Sequence, residues 1–389
     1  MALYRYRIVH EDKNTSVETD ITEATEASCR EGIKATVDTA TFRVHANDLP
    51  VTIGIDDGIK IYFGEGNPTP TTLIGDYYIE SLKLRLDTGH SIYTFKCTNK
   101  LEALLKNVRP SAFKKDDTNA PDTVGWTAPG LIEHFIDIVN EYNADKENWV
   151  NIGKDVQSTK GDGSAFPYID YVNDYKPIFQ QIEDVSTNQY TADGRYIFYL
   201  DTDNNFVWKS RPSTSSGNII YGTDMINADI EKGVWDVINA IILNAGSDLN
   251  GSPIYILAYN LESIGEIGFK WKYVPALDIA KAWKRAHADI TNNQTVREEI
   301  KKDARNDAEE IIDRLGSPRW KAKIEIRGNA SYDKGNVYGL RVPELGWTTG
   351  NEKEIRLTDV THRFSVKNGW TTTLSLEQDE ETALDELVG

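Results

Sequence analysis

The sequence predicts an α+β chain, mainly β, with two similar β-barrel-like domains, an α/β domain between them and a helical insert in the second. Three observations carry this. Residues 355–376 alternate apolar and polar positions around a glycine turn. Residues 80–96 repeat that pattern 280 positions earlier. Two stretches, 128–143 and 275–316, switch to the helical period. The domains expected are 1–105, 106–230 and 231–389, the last carrying the insert 275–316.

In the last hairpin Val360, His362, Phe364 and Val366 alternate on one strand, and Trp370, Thr372, Leu374 and Leu376 on the next. A two-residue turn at Asn368 and Gly369 would split these apolar sets onto opposite faces. A three-residue loop of Lys367, Asn368 and Gly369 restores one face, with Gly369 left-handed. In the earlier hairpin Leu82, Leu84 and Leu86 lead into Asp87, Thr88 and Gly89, read as the same loop, then His90, Ile92 and Thr94. The shift of 280 places Leu86 on Val366, Gly89 on Gly369 and His90 on Trp370. It also places Ala103 and Leu104 on Ala383 and Leu384, so each hairpin runs into a short helix. Two unrelated hairpins followed by helices are the plainer reading; a duplicated β-domain is the sharper one.

The remaining elements follow in order. Runs at 4–9, 35–44, 51–55, 59–63 and 73–79 read as short strands of a small barrel or sandwich. Gly64 and Gly66 lack a third glycine where a dinucleotide fingerprint needs it, and Pro68 obstructs a helix, so 64–70 is a loop. After a polar linker, Thr127 caps a helix with Pro129 in its first turn, and Leu131, Phe135, Ile138, Val139 and Tyr142 form its stripe. A second helix uses Ile178, Ile182 and Val185, and strands at 196–200 and 206–208 follow. The loop between them, 201–205, has Phe206 and Pro212 where a calcium loop needs Gly and Glu, so it is a hairpin turn.

From Val234 the run VWDVINAIILNAG reads as one nearly continuous apolar strand, buried on both faces or along a subunit contact. Further strands are expected at 254–260 and 267–274. Pro275 is expected to open one helix ending at His287. Thr295 and Glu298 read as a capping box for a second, with Val296, Ile300, Ala304, Ala308, Ile312 and Leu315 as its thin stripe and Gly316 as its stop. Strands at 320–326 and 335–342 complete the chain, with Pro343 marking an edge or rim.

The segment TDVTHRFSVKNGWTTTLSL, closing a second β-domain after a helix-bearing middle, resembles the baseplate hub or tail hub family of tailed phages. That family includes the late control protein D group and the N-terminal part of type VI secretion spike proteins. The resemblance implies a homotrimer in which three chains, each with two tube-forming domains, present six equivalent blocks. It implies partners too: a tail tube or distal tail protein, a tip, spike or fibre protein, and a tape measure protein. DNA would pass through the lumen without specific binding, and the place of action would be the virion. The distal tail ring, six-fold and carrying one such domain, is an alternative.

Composition sets further bounds. A net charge of -18 opposes a surface that grips nucleic acid, which needs clustered Lys and Arg. An acidic lumen that lets DNA slide is one account of it; ordinary solubilising charge is the plainer one. Cys29 and Cys97 are the only cysteines, too few for a disulfide framework or a four-cysteine zinc site, and read as packing residues. The N-terminus lacks a secretory apolar region, and the run 237–243 is far short of the ~20 residues of a membrane helix, so synthesis in a cytoplasm and no membrane segment are expected.

The sequence contains no nucleophile elbow, phosphate loop or zinc-protease motif. Six histidines are dispersed, His134 beside a helix stripe among them. The acid pairs at 56–57, 116–117, 298–299 and 309–310 are ordinary among 61 acidic residues. No catalytic, cofactor-binding or metal-binding residue is assigned, and a non-enzymatic structural protein is expected. A glycan-binding or peptidoglycan-degrading protein is the alternative from another class, since nine tryptophans and nineteen tyrosines can line a sugar groove.

Overall fold

A computed structural model describes residues 4–33, 38–65, 69–87, 90–99, 126–145, 151–166, 168–169, 177–186, 196–201, 203, 205–212, 214–234, 237–276, 279–280, 283–284, 287 and 290–378. The short helices expected after the two hairpins, the polar linker and most of the helix expected at 275–287 lie outside these residues. The chain divides into two compact units, Met1–Asp229 with Ala322–Leu376, and Ile230–Lys321 with Glu377–Gly389.

Strands and helices are numbered in chain order. The first block holds β1 (Tyr4–Glu11), β2 (Glu18–Ile21), β3 (Ala24–Gly32), β4 (Thr39–His45), β5 (Gly58–Glu65), β6 (Thr72–Asp87) and β7 (His90–Thr98). The middle holds β8 (Trp126–Thr127), α1 (Ala128–Asn143), β9 (Gly153–Val156), β10 (Tyr168–Ile169), α2 (Ile178–Val185), β11 (Tyr196–Leu200) and β12 (Asn205–Ser210). Next come β13 (Ser215–Ile220), β14 (Met225–Gly233), β15 (Ala240–Ser247), β16 (Pro253–Tyr259), α3 (Leu261–Ile267), β17 (Trp271–Pro275) and α4 (Asn293–Leu315). The last are β18 (Arg319–Arg327), β19 (Val337–Arg341), β20 (Lys353–Ser365) and β21 (Gly369–Glu377).

The fold is mainly β. One large sheet runs β14-β18-β21-β20-β3-β4-β7-β6-β5-β1-β2, with β19 on β20 and β13 on β19. This path does not return to its start, so the barrel-like domains expected are an open sheet among the described residues. Within it one strand order occurs twice: β3-β4-β7-β6-β5 and β14-β18-β21-β20-β19. In each set the first strand lies beside the second, and the last two in sequence form the hairpin noticed above. Several of these strands carry weak signals. The strand β3 reads ATEASCREG, poor in β-branched and aromatic residues, and only its pairing with β4 and β20 makes it a strand. Residues 51–55, expected as a strand, form none.

The β20-β21 hairpin turns at 366–368, with Gly369 at φ +70°, the left-handed position expected of it. Val360, His362, Phe364, Trp370, Thr372, Leu374 and Leu376 are buried; Val366 is not. The earlier hairpin differs from expectation. Asp87 pairs with His90, so two residues connect the strands rather than three, and a register shift between Ile79 and Ser81 reconciles the faces. Leu82, Leu84 and Leu86 are exposed there.

In the middle segment α1 and α2 cover the sheet of β9, β11 and β12 around buried Phe135, Ile182 and Trp208. The Thr127 hydroxyl accepts the Gly130 N–H at 3.3 Å, the expected cap. Tyr142 is exposed, and Ile132 and Ile136 take its place in the stripe, because the buried face of α1 is wider than a single file.

In the second unit β16, β15 and β17 form a three-stranded sheet with α4 packed on one face. All six predicted stripe residues of α4 are buried. The cap is Asn292, whose side chain accepts from Gln294 and Thr295 N–H; the helix starts before the expected capping box. Burial of β15 on both faces is not found: Ile241 and Leu243 face α4, while Ile242 is 37% exposed beside Leu257 and Tyr273 on the outer face. Asn239, which interrupts the apolar run, is a buried clamp, donating to Gly268 O at 2.8 Å and accepting from Lys270 N at 2.7 Å.

Candidate functional site

The seam where the first and last strand blocks meet is the candidate site. Here β3 and β20 pair antiparallel from Asp359 opposite Gly32 to Ser365 opposite Glu26. On the buried face Ala27 lies opposite Phe364 and Cys29 opposite His362. Small residues on β3 leave room for rings on β20. Phe364 packs on Tyr6 with centroids 4.4 Å apart, and Phe63 meets Trp370 at 5.5 Å. On the other face Arg30 and Asp359 form an ion pair at 2.9 Å.

His362 shows how dry the seam is. Burial pushes its imidazole down to about 4, so it is neutral near pH 7. Its Nδ1 lies 2.9 Å from Thr372 Oγ1, which also donates to Asn329 O at 3.3 Å and accepts the Asn329 N–H at 3.1 Å. With the hydroxyl proton on Asn329 O, His362 Nδ1 is the donor to Thr372.

A buried ionic knot ties the seam to the middle segment. Lys334 Nζ stands 2.6 Å from Asp38 Oδ2 and 3.8 Å from Glu31 Oε2, and 5.2 Å from the Tyr199 ring of β11. Burial alone would lower the Lys334 ammonium, but Asp38 and Glu31 outweigh it and hold it above its ordinary value. Burial pushes Glu31 up to about 7, with Lys334 pulling the other way and Asp38 and Asp333 adding to the rise. The next residue, Gly335, has φ +86°, and a Cβ there would meet Ile197. Nothing in the sequence around Lys334 marks it, since one lysine in a turn is ordinary and its carboxylate partners lie about 300 residues away.

The residues singled out earlier are placed as structure. His134 stacks on Trp126 at 4.9 Å. Asp57 is buried, accepting from Gly54 N–H at 2.6 Å beside His10 at 2.8 Å. Glu298 pairs with Lys301, and Asp201 accepts the Asp203 and Asn205 N–H groups inside a hairpin turn. The pair at 116–117 lies outside the described residues. Among the described residues no three His, Cys, Asp or Glu side chains come together as a metal site would need.

No model of a known protein family matches the chain, and no curated protein matches its sequence. Solved structures do. The 43 kDa tail protein of prophage MuSo2 from Shewanella oneidensis aligns with TM-score 0.60 at 12% identity, over 97% of this chain and 99% of that one. The tail protein from Neisseria meningitidis MC58 aligns with TM-score 0.59 at 11% identity, over 98% and 99%. The fold is that of phage tail proteins. This tail-protein fold extends to a Francisella PdpA-VgrG complex, TM-score 0.53 at 8% identity, over 97% of this chain and 58% of that one. The resemblance read from 358–376 is therefore borne out at the level of fold, and the seam lies within the span that the tail proteins share.

Proposed function

We propose that the chain is a structural protein of a phage tail or a related injection machine, acting as a trimeric hub between a six-fold tube and a three-fold tip. One observation carries this: the strand order β3-β4-β7-β6-β5 recurs as β14-β18-β21-β20-β19, and the two sets are joined edge to edge through β20 and β3. A chain with two like blocks side by side supplies six from three copies, which is the arithmetic a symmetry adaptor needs. The first set then falls within residues 1–105, and the second runs from Met225 to Glu377, so that its first strand begins before residue 231. Tube, tip and tape measure proteins are the proposed partners, with DNA passing unbound through the lumen and no catalysis. The solution mass of the full chain tests it: three chain masses are expected, and a monomer that stays monomeric at tens of micromolar would remove the hub.

A glycan-binding reading has one observation in its favour. The outer face of the β16-β15-β17 sheet exposes Tyr255, Tyr259, Trp271 and Tyr273, a stacking platform for sugar rings. Calorimetric titration with soluble peptidoglycan fragments decides it, and no heat of binding would dismiss it.

A further inference from the structure

With the three-chain ring as its premise, the strand repeat specifies which edges meet between neighbouring copies. We propose that residues 81–85 of β6 pair antiparallel with β14 of a second copy, in the register that β20 already adopts with β3.

The equivalence is positional. A shift of 280 carries β6 onto β20, and a shift of 201 carries β3 (Ala24–Gly32) onto β14 (Met225–Gly233), strands of equal length that both end in glycine. Each block thus has the same two edges, yet only one union is made within the chain. In the second block, β19 takes the early part of β20, from Lys353 to Arg356, and β3 takes the later part, from Asp359 to Ser365. In the first block, β5 takes the early part of β6, ending at Tyr78. Beyond Ile79 the β5 side of β6 has no strand beside it among the described residues, while β7 lines the other side. At the far end of the sheet β14 has β18 as its one neighbouring strand among the described residues. A long edge of this kind is a liability unless something covers it.

Exposure and charge agree on the occupant. Leu82 and Leu84 are each 41% exposed, whereas their equivalents in the seam, His362 and Phe364, are 4% and 7% exposed. Leu86 and its equivalent Val366 are exposed in both hairpins, so the hairpin tip lies beyond the joint. Carrying over the seam register, in which His362 faces Cys29, Arg363 faces Ser28 and Phe364 faces Ala27, gives three pairs. Leu82 meets Ile230, Lys83 meets Asp229 and Leu84 meets Ala228. Apolar residues fall opposite apolar ones, and the one lysine falls opposite an aspartate. A register one residue off would set Lys83 against Ile230 or Ala228 and turn both leucines to the wrong face.

Cysteines introduced as L84C and A228C in one full-length chain test the pairing, since paired strands bring Cα atoms to ~4.5–5.5 Å, within disulfide reach. Mild oxidation is expected to yield covalent trimers, while either single variant gives none; Cys29 and Cys97 are buried. In solution K83D should weaken self-association by roughly tenfold and K83D with D229K should restore it, the opposite-charge pair being exchanged. A trimeric protein in which the cysteine pair does not cross-link and K83D has no effect overturns the strand pairing and leaves the hub standing. A wild-type chain that is monomeric overturns the hub itself.

Discussion

Lys334 Nζ lies 2.6 Å from Asp38 Oδ2 across 296 residues of sequence, and both side chains are shut away from water. The single ammonium serves two carboxylates, because Glu31 stands 3.8 Å off. Lys334→Met removes that ammonium from buried Asp38 and from half-buried Glu31. A loss of about 3–5 kcal/mol in unfolding free energy is expected, the range for breaking a buried pair from one side. Urea denaturation followed by tryptophan fluorescence measures it, and a loss within the scatter of exposed ion pairs would contradict the burial described.

His362 makes stability depend on pH. Its folded proton affinity lies at about 4 against 6.5 ordinarily, so the unfolded chain binds the proton more readily. The contribution is complete above about pH 6.5, declines as pH falls and is gone below about 4, amounting to ~3 kcal/mol. Glu31, raised to about 7, acts with the opposite sign, losing stability as pH climbs from 4.5 to 7. The wild type is therefore compared with His362→Gln, which keeps Glu31 and cannot titrate at this position. The difference between their stability curves should slope through pH 4–6.5; a flat difference would refute the dry site.

Gly328 lies under the Trp370 indole, which occupies the space a Cβ would need. Gly328→Ala should displace the ring and cost about 1–3 kcal/mol, as overpacking does. A shifted tryptophan emission together with a lowered melting temperature is the expected pair of readings, and an unchanged emission would mean the ring sits elsewhere.

The N-terminus of α4 offers a comparison of two caps. Asn292→Ala should cost ~1 kcal/mol, whereas Thr295→Ala should cost no more than a few tenths, because Asn292 and not Thr295 receives the free N–H groups. Thermal melts of the two variants side by side decide it, and a larger drop for Thr295→Ala would restore the capping box expected from the sequence.

Much of the local structure was legible because its causes are local. The helix faces of α1 and α4, the Thr127 cap and the left-handed Gly369 each depend on residues within one or two turns of each other. The strand β3 escaped notice because Ala, Glu and Ser carry no strand preference of their own. The pairing of Asp87 with His90 escaped because the shift that corrects the register sits between Ile79 and Ser81, away from the hairpin tip. The candidate seam was half visible: β20 declared its buried face, but nothing declared what it buried that face against.

By itself the amino-acid order determined which faces are apolar, where helices start and stop, and that a hairpin is used twice at a spacing of 280. These follow from side-chain period and turn chemistry, which act over a few residues. Only the tertiary structure decided that β3 lies beside β20, that the sheet is open among the described residues, and that Lys334 is held between Asp38 and Glu31. Strand edges and buried charges choose partners by exclusion of water across hundreds of residues, and that choice leaves no periodic trace in the chain.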